Sequence, residues 1–136
     1  MPTGLAERVE RLRRIDLFSG LDDEGLALVA SLATEVQVPA GRVLTEPKQP
    51  GSGMFAITEG AARVERRGGS TRRLGAGECF GELALLTREG ERTARVRAES
   101  DLRCLAIARD DFRELLERDP RIALSLLEVL AARLAR

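Results

Sequence analysis

MFAITEGAARVERRGGSTRRL, residues 54–74, decides the fold class. Three short segments, MFAIT, AARVER and TRRL, are rich in β-branched or alternating residues, with turn signals at Glu59-Gly60 and Gly68-Gly69 between them. Ala62 and Val64 fall on one face and Arg63 and Glu65 on the other, the period-two pattern of a half-buried strand. Glycine supplies the positive φ that tight hairpin turns need, so Gly68-Gly69 predicts a hairpin.

The same pattern continues on both sides. Upstream lie EVQV (35–38) and RVLT (42–45), separated by Pro39-Ala40-Gly41, with a second turn region from Pro47 to Gly53. Downstream, Gly75-Ala76-Gly77 precedes a strand-like ECF, and ARVRA (94–98) and LRCLAI (102–107) complete the set. Ala94, Val96 and Ala98 share one face, Arg95 and Arg97 the other. Many short strands at near-regular spacing predict a β-sandwich or barrel.

Helical periodicity brackets this β unit. Leu5 to Ile15 predicts a helix on Val9, Leu12 and Ile15, and Phe18 and Leu21 come next with a turn at Ser19-Gly20 between them. Asp22 or Asp23 is expected to cap a second helix carrying Leu26, Leu28, Val29 and Leu32. After the strands, Asp110 is expected to cap a helix through Phe112, Leu115 and Leu116. Asp119-Pro120 then opens the last helix, with proline at its favoured entry position. Leu124, Leu127, Leu130, Ala131 and Leu134 make one stripe on it, readable as core packing or as an interface. The expectation is one domain, residues 1–136. It has helices over about 5–33, a β-barrel over about 35–108 and C-terminal helices over about 110–136, a helix-flanked jelly roll.

Composition narrows the function. A chain of 136 residues suits a single core. Basic and acidic residues balance at 22 each, so no positive excess draws it to a phosphate backbone, and nucleic acid is not an expected partner. Four Phe and no Trp or Tyr leave little for base stacking. The absence of His removes the usual ligands of zinc and non-haem iron sites and the commonest general base. A jelly-roll metalloenzyme of the cupin kind, which the strand pattern permits, loses its site on that ground. Neither an enzyme nor a cofactor or metal is therefore expected.

Cys79 and Cys104 have no metal or redox spacing and lie in apolar runs, so both read as inert core. MPTGLAERVERLRR has no apolar stretch before its charges, and no run approaches a membrane span of about 18 apolar residues. A cytoplasmic protein without a membrane partner is expected. The pairs Arg13-Arg14, Arg66-Arg67 and Arg72-Arg73 read as solvated faces balanced by nearby acids.

Chemistry concentrates in GAGECFGELALLTREGERTARVRA, residues 75–98. Gly81 stands between ECF and a short apolar run, Leu83 to Leu86, long enough for one or two helical turns. A helix start after glycine exposes backbone N–H groups, here near Leu83 and Ala84, which favour an anion. A polar loop with Gly90 leads to Arg92-Thr93 and the next strand. Glu82 alone reads as a helix-start acid, and Arg92 alone as a surface ion-pair partner. Together, with Gly81 and Thr93 in register, they point to a pocket for a phosphate monoanion on a sugar. Arg92 would hold phosphate oxygens, and Thr93 and the N–H groups the remainder. Glu82 would accept from a ribose hydroxyl, and Gly81 would allow close approach.

GECFGELALLTREGERTARVRA closely resembles the phosphate-binding cassette of cyclic-nucleotide-binding domains. The ten-residue gap from Glu82 to Arg92 is similar to that of the bacterial catabolite-activator group. LFSGLDDEGLALVASLATEVQVPAGRVL, MFAITEGAARV and DDFRELLERDP resemble the family's flanking segments, so the likeness covers about residues 12–136.

The resemblance implies the family's jelly-roll barrel with N- and C-terminal helices. It implies that Glu82 holds the ribose 2′-hydroxyl, Arg92 the cyclic phosphate, and Thr93 a further phosphate contact. Two departures stand out. TEPKQPGSGM (45–54) is Pro-rich where the family often has a Gly-Asp/Glu pair, and the chain stops at Arg136, before the family's DNA-binding helix-turn-helix. The expectation is a sensor binding cAMP or a related cyclic nucleotide through Gly81, Glu82, Leu83, Ala84, Arg92 and Thr93. It would lack DNA-binding or catalytic output and signal through its helices to an unknown downstream protein. A homodimer through the C-terminal helix, as in related regulators, is part of that expectation. The alternative is a degenerate, ligand-free interaction module of the same fold, against which the intact Glu82, Arg92 and Thr93 weigh.

Overall fold

The computed structural model describes residues 4–45, 53–66, 68–81 and 94–135. The chain opens with α1 (Leu5–Arg13), a 3-10 turn (Asp16–Phe18) and α2 (Asp23–Leu32). Strands β1 (Thr34–Val38), β2 (Val43–Thr45), β3 (Gly53–Glu59), β4 (Ala62–Glu65), β5 (Thr71–Leu74), β6 (Cys79–Phe80), β7 (Arg95–Ala98) and β8 (Leu102–Ala108) follow. Helices α3 (Arg109–Arg118) and α4 (Pro120–Leu134) close it.

The strands form two antiparallel sheets, with orders β1-β8-β3-β6 and β2-β7-β4-β5. Apart from the β4–β5 pair, successive strands cross between the sheets, which makes the jelly roll. The β3–β4 and β7–β8 crossings meet at Gly60 and Ala61. The Ala61 N–H donates to Ser100 Oγ (3.0 Å), and the Glu99 N–H donates to the Ala61 carbonyl (2.9 Å). Gly60 has φ 91°, and a Cβ there would run into the Asp101 carbonyl oxygen, so only glycine fits this corner.

Two cores result. The first lies between the sheets and holds Val38, Ile57, Ala62, Val64, Leu74, Phe80, Val96, Ala98, Leu102 and Cys104. Phe55 and Phe80 stack across the β3/β6 pair there, centroids 5.1 Å apart. The second lies between the β1-β8-β3-β6 sheet and the helices. Leu12, Phe18, Leu26, Val29, Phe112, Ile122 and Leu126 cover Met54, Ala56, Leu105 and Ile107. Phe18 meets Phe112 edge-on at 6.3 Å. Glu35 on β1 links the layers: its Oε1 lies 3.4 Å from Arg103 Nε on β8 and 3.8 Å from Arg11 Nη1 on α1.

Most element expectations hold. Asp22 is the cap of α2, accepting from the Gly25 N–H at 2.8 Å, and Asp119 caps α4 with Pro120 in its first turn. The Arg121 side chain lowers the Asp119 carboxyl below its ordinary range through their hydrogen bond. The β4–β5 hairpin forms, with Gly68 and Gly69 at φ 89° and 87°.

Three expectations change. The first helix ends at Arg13, because Ile15 turns extended and the Asp16 N–H donates to the Gly77 carbonyl (2.9 Å), tying the chain to the barrel. Asp110 is not a cap: Ala108 takes that position without a side-chain bond, and Asp110 and Asp111 sit in the first turn of α3, where their charge suits the dipole. The leucine stripe of α4 divides, with Leu130 packed against the core and Leu124, Leu127, Ala131 and Leu134 exposed. Leu124, Leu127 and Leu134 are 60%, 59% and 88% exposed, while Ile122 and Leu126 are buried and Val129 and Leu130 pack beside them.

Candidate functional site

Gly81, the first of the expected ligand residues, follows a braced strand. Phe80 pairs with Phe55 and Cys79 with Ala56, so β6 hangs on the central strand β3. Just before it, the Ile57 N–H donates to the Glu78 carbonyl (2.9 Å) and the Gly77 N–H to the Ile57 carbonyl (3.0 Å). The Glu78 carboxylate accepts from the Gly75 N–H at 2.8 Å and lies 3.5 Å from Arg72. The chain leaves this brace at Gly81, which is half-buried with φ 85°. A side chain at this φ would be strained, which favours glycine at this position.

The far end is held as well. Ala94 is buried, and its carbonyl accepts from Thr45 Oγ1 at 3.1 Å. Thr45 is the one buried polar side chain among the described residues, and sequence reasoning passed over it as the last residue of RVLT. Its signal was a lone hydroxyl ending an apolar strand, too common to single out. Arg95 onward then enters β7, paired with β4 from Glu65↔Arg95 to Ala62↔Ala98.

Of the expected ligand residues, Gly81 lies at the first of these ends. Glu82, Leu83, Ala84, Arg92 and Thr93 lie outside the described residues, as does most of the Pro-rich loop at 46–52.

The two cysteines face opposite ways. Cys104 shares the inter-sheet core with Ile57, and burial pushes its thiol up to about 12. Cys79, beside Ala56, faces the helix layer. Both are free and buried, which fits inert core residues. Among the described residues no cluster of His, Cys, Asp or Glu can hold a metal ion, and no helix is long and apolar enough to cross a membrane.

The described strands and helices make a two-sheet jelly roll with one helical layer. Its family is the cyclic nucleotide-binding domain, whose profile matches residues 35–119, and the chain belongs to it. The cyclic AMP receptor protein of Thermus thermophilus is 37% identical over 123 residues, covering 87% of this chain and 56% of that protein. The human potassium/sodium hyperpolarization-activated cyclic nucleotide-gated channel 2 is 35% identical over 121 residues, 88% of this chain and 13% of the channel. This chain thus spans little more than half of one relative and a small part of the other. The crystal structure of the N-terminal domain of a transcriptional regulator from Streptomyces coelicolor superposes with a TM-score of 0.74 at 33% identity, covering 91% of this chain and 90% of that one.

Proposed function

We propose that this chain is a cyclic-nucleotide sensor that binds cAMP, working in the cytoplasm, where its free cysteines stay reduced. One observation carries the reading. The family match runs through the whole segment between Gly81 and Ala94, and that segment keeps Glu82, Arg92 and Thr93 at the family's spacing. The ligand set is Gly81, Glu82, Leu83, Ala84, Arg92 and Thr93. Arg92 and Thr93 take the cyclic phosphate with the N–H groups at Leu83 and Ala84. Glu82 takes the ribose 2′-hydroxyl. No catalytic step is assigned to any of them.

Calorimetric titration with cAMP, cGMP and 2′-deoxy-cAMP tests this. A buried carboxylate left without its hydroxyl loses about 1–3 kcal/mol, so the deoxy compound should bind about tenfold or more weakly than cAMP. Glu82→Gln should narrow that gap. Equal affinity for the two removes Glu82 from the ribose, and no binding by any cyclic nucleotide leaves the ligand-free interaction module.

Output falls to α4. Leu124, Leu127, Ala131 and Leu134 recur at the 3-4-3 spacing of a two-helix seam, and all four are exposed. A second copy of the chain would cover that seam in a symmetric contact. Nucleotide shifts the helix only if it binds one packing arrangement more tightly than the other. Sedimentation of the wild-type chain should show a dimer, and Leu127→Glu a monomer with an unchanged fold. A monomeric wild type at micromolar concentration removes the seam.

A further inference from the structure

The solvent face of the β2-β7-β4-β5 sheet carries a row of arginines in register. Arg63 on β4 lies directly opposite Arg73 on β5 and Arg97 on β7. Arg97 lies 3.4 Å from Glu65 and Arg73 lies 3.5 Å from Glu99. Arg63, exposed between them, has no ion pair or side-chain hydrogen bond among the described residues.

The ladder makes this row costly. The Arg66 N–H donates to the Ser70 carbonyl, so the narrow hydrogen-bonded pairs fall at Arg66/Ser70, Val64/Arg72 and Ala62/Leu74. Arg63 and Arg73 therefore form a non-hydrogen-bonded pair, the class with the closest side chains, and like charges opposite one another destabilise a sheet. The same alternation turns the N–H and C=O groups of Thr71 and Arg73 away from β4. They face the side of β5 that no other strand pairs among the described residues, at the end of its sheet.

Charged residues commonly guard open edges, and that accounts for Arg72 and Arg73. It does not account for Arg63, which sits on an inner strand with β7 and β5 on its two sides.

We propose that this face docks an extended acidic segment of a partner protein. The segment adds to the β5 edge through the main chain of Thr71 and Arg73, the mode of strand addition. Side chains of an added strand alternate between faces, so carboxylates at every second position meet the arginine side of the sheet. A carboxylate entering beside Arg73 bridges it to Arg63 and relieves the like-charge contact. Two observations favour a peptide over a nucleic acid. That edge offers N–H and C=O groups at the repeat of an extended chain, which suits another backbone strand. The chain also has no net positive charge to drive counterion release. This surface lies outside the nucleotide-binding segment and does not depend on it.

The test is fluorescence anisotropy of a labelled peptide of alternating Glu and Val against the full chain. A single-stranded oligonucleotide of equal length serves as the competing polyanion. The peptide should bind, and binding should weaken as salt screens the charges. Arg63→Glu should reduce peptide affinity about tenfold, and Arg63→Gln in the same direction but less. Arg14→Glu, the same charge change at an exposed α1 end, should leave it unchanged. Because Arg63→Glu places a carboxylate between two arginines, its melting temperature should stay level or rise. The proposal is overturned by an unbound peptide, by equal losses in Arg63→Glu and Arg14→Glu, or by an oligonucleotide that binds as tightly through Arg63. A clear fall in melting temperature for Arg63→Glu overturns it too, since the row would then be structural.

Discussion

Phe112→Ala should lower the folding free energy by about 3–5 kcal/mol, the range for removing a buried aromatic. Phe112 is 1% exposed and is the one buried residue of α3. The other apolar residues of that helix, Leu115 and Leu116, only lean on the core. Its ring meets Phe18 edge-on at 64°, so the cavity would open between α3 and the 3-10 turn. The backbone there is held at both ends, by β8 running directly into α3 and by the Asp119 cap beyond it, so the gap cannot close cheaply. Undocking α3 would also loosen α4, whose Arg133 reaches Asp16 in the same turn at 3.3 Å. Urea denaturation followed by circular dichroism measures the loss. Leu127→Ala, on the exposed side of α4, should cost under about 0.5 kcal/mol as a monomer. A Phe112→Ala loss as small as that would mean that α3 is not docked through this ring.

The sequence disclosed the two sheets unequally, for a physical reason. The sheet containing β4 and β7 buries one face and wets the other, so Ala62-Arg63-Val64-Glu65 and Ala94 to Ala98 alternate visibly. The sheet containing β3 and β8 is covered by its partner sheet on one face and by helices on the other. Both faces are apolar, and LRCLAI reads as a plain apolar run. Only the structure sorts Cys104 to one core and Leu105 and Ile107 to the other. Capping shows a similar split. Asp22 and Asp119 precede clear starts and were legible, whereas β8 passes into α3 without a break, so no side chain is needed to stop one element and start the next. On α4 two apolar faces compete. The leucines are more regular in sequence, yet the face of Ile122 and Leu126 reaches the core, because the helix is docked through Ser125 beside Gly20 and through Arg133. For the site, spacing told more than geometry does. Gly81 and Ala94 fix the ends of the segment, while the identity of Glu82, Arg92 and Thr93 comes from the sequence alone.

Arg92→Ala should abolish most of the affinity for cAMP while leaving the fold intact. In sequence Arg92 stands two residues before Ala94, whose carbonyl accepts from Thr45 Oγ1 at 3.1 Å, and the proposed reading gives the arginine the cyclic phosphate. An arginine guanidinium meets a phosphate with two parallel N–H bonds, both charge-assisted. Removing one partner of a desolvated charge pair costs about 2–5 kcal/mol, which at about 1.4 kcal/mol per tenfold is roughly 30- to 4,000-fold in Kd. Arg92→Lys keeps the charge but not the fork, and should fall between wild type and alanine. Thr45→Val offers a contrast: it removes the buried hydroxyl bond without touching the ligand set, so it should lower stability by about 1 kcal/mol and affinity far less. Calorimetry on the three variants, beside their melting curves, separates the two roles. If Arg92→Ala binds cAMP as tightly as wild type, the phosphate is held elsewhere and the cassette reading of residues 81–93 fails. If it loses affinity and melting temperature together, Arg92 supports the barrel rather than the ligand.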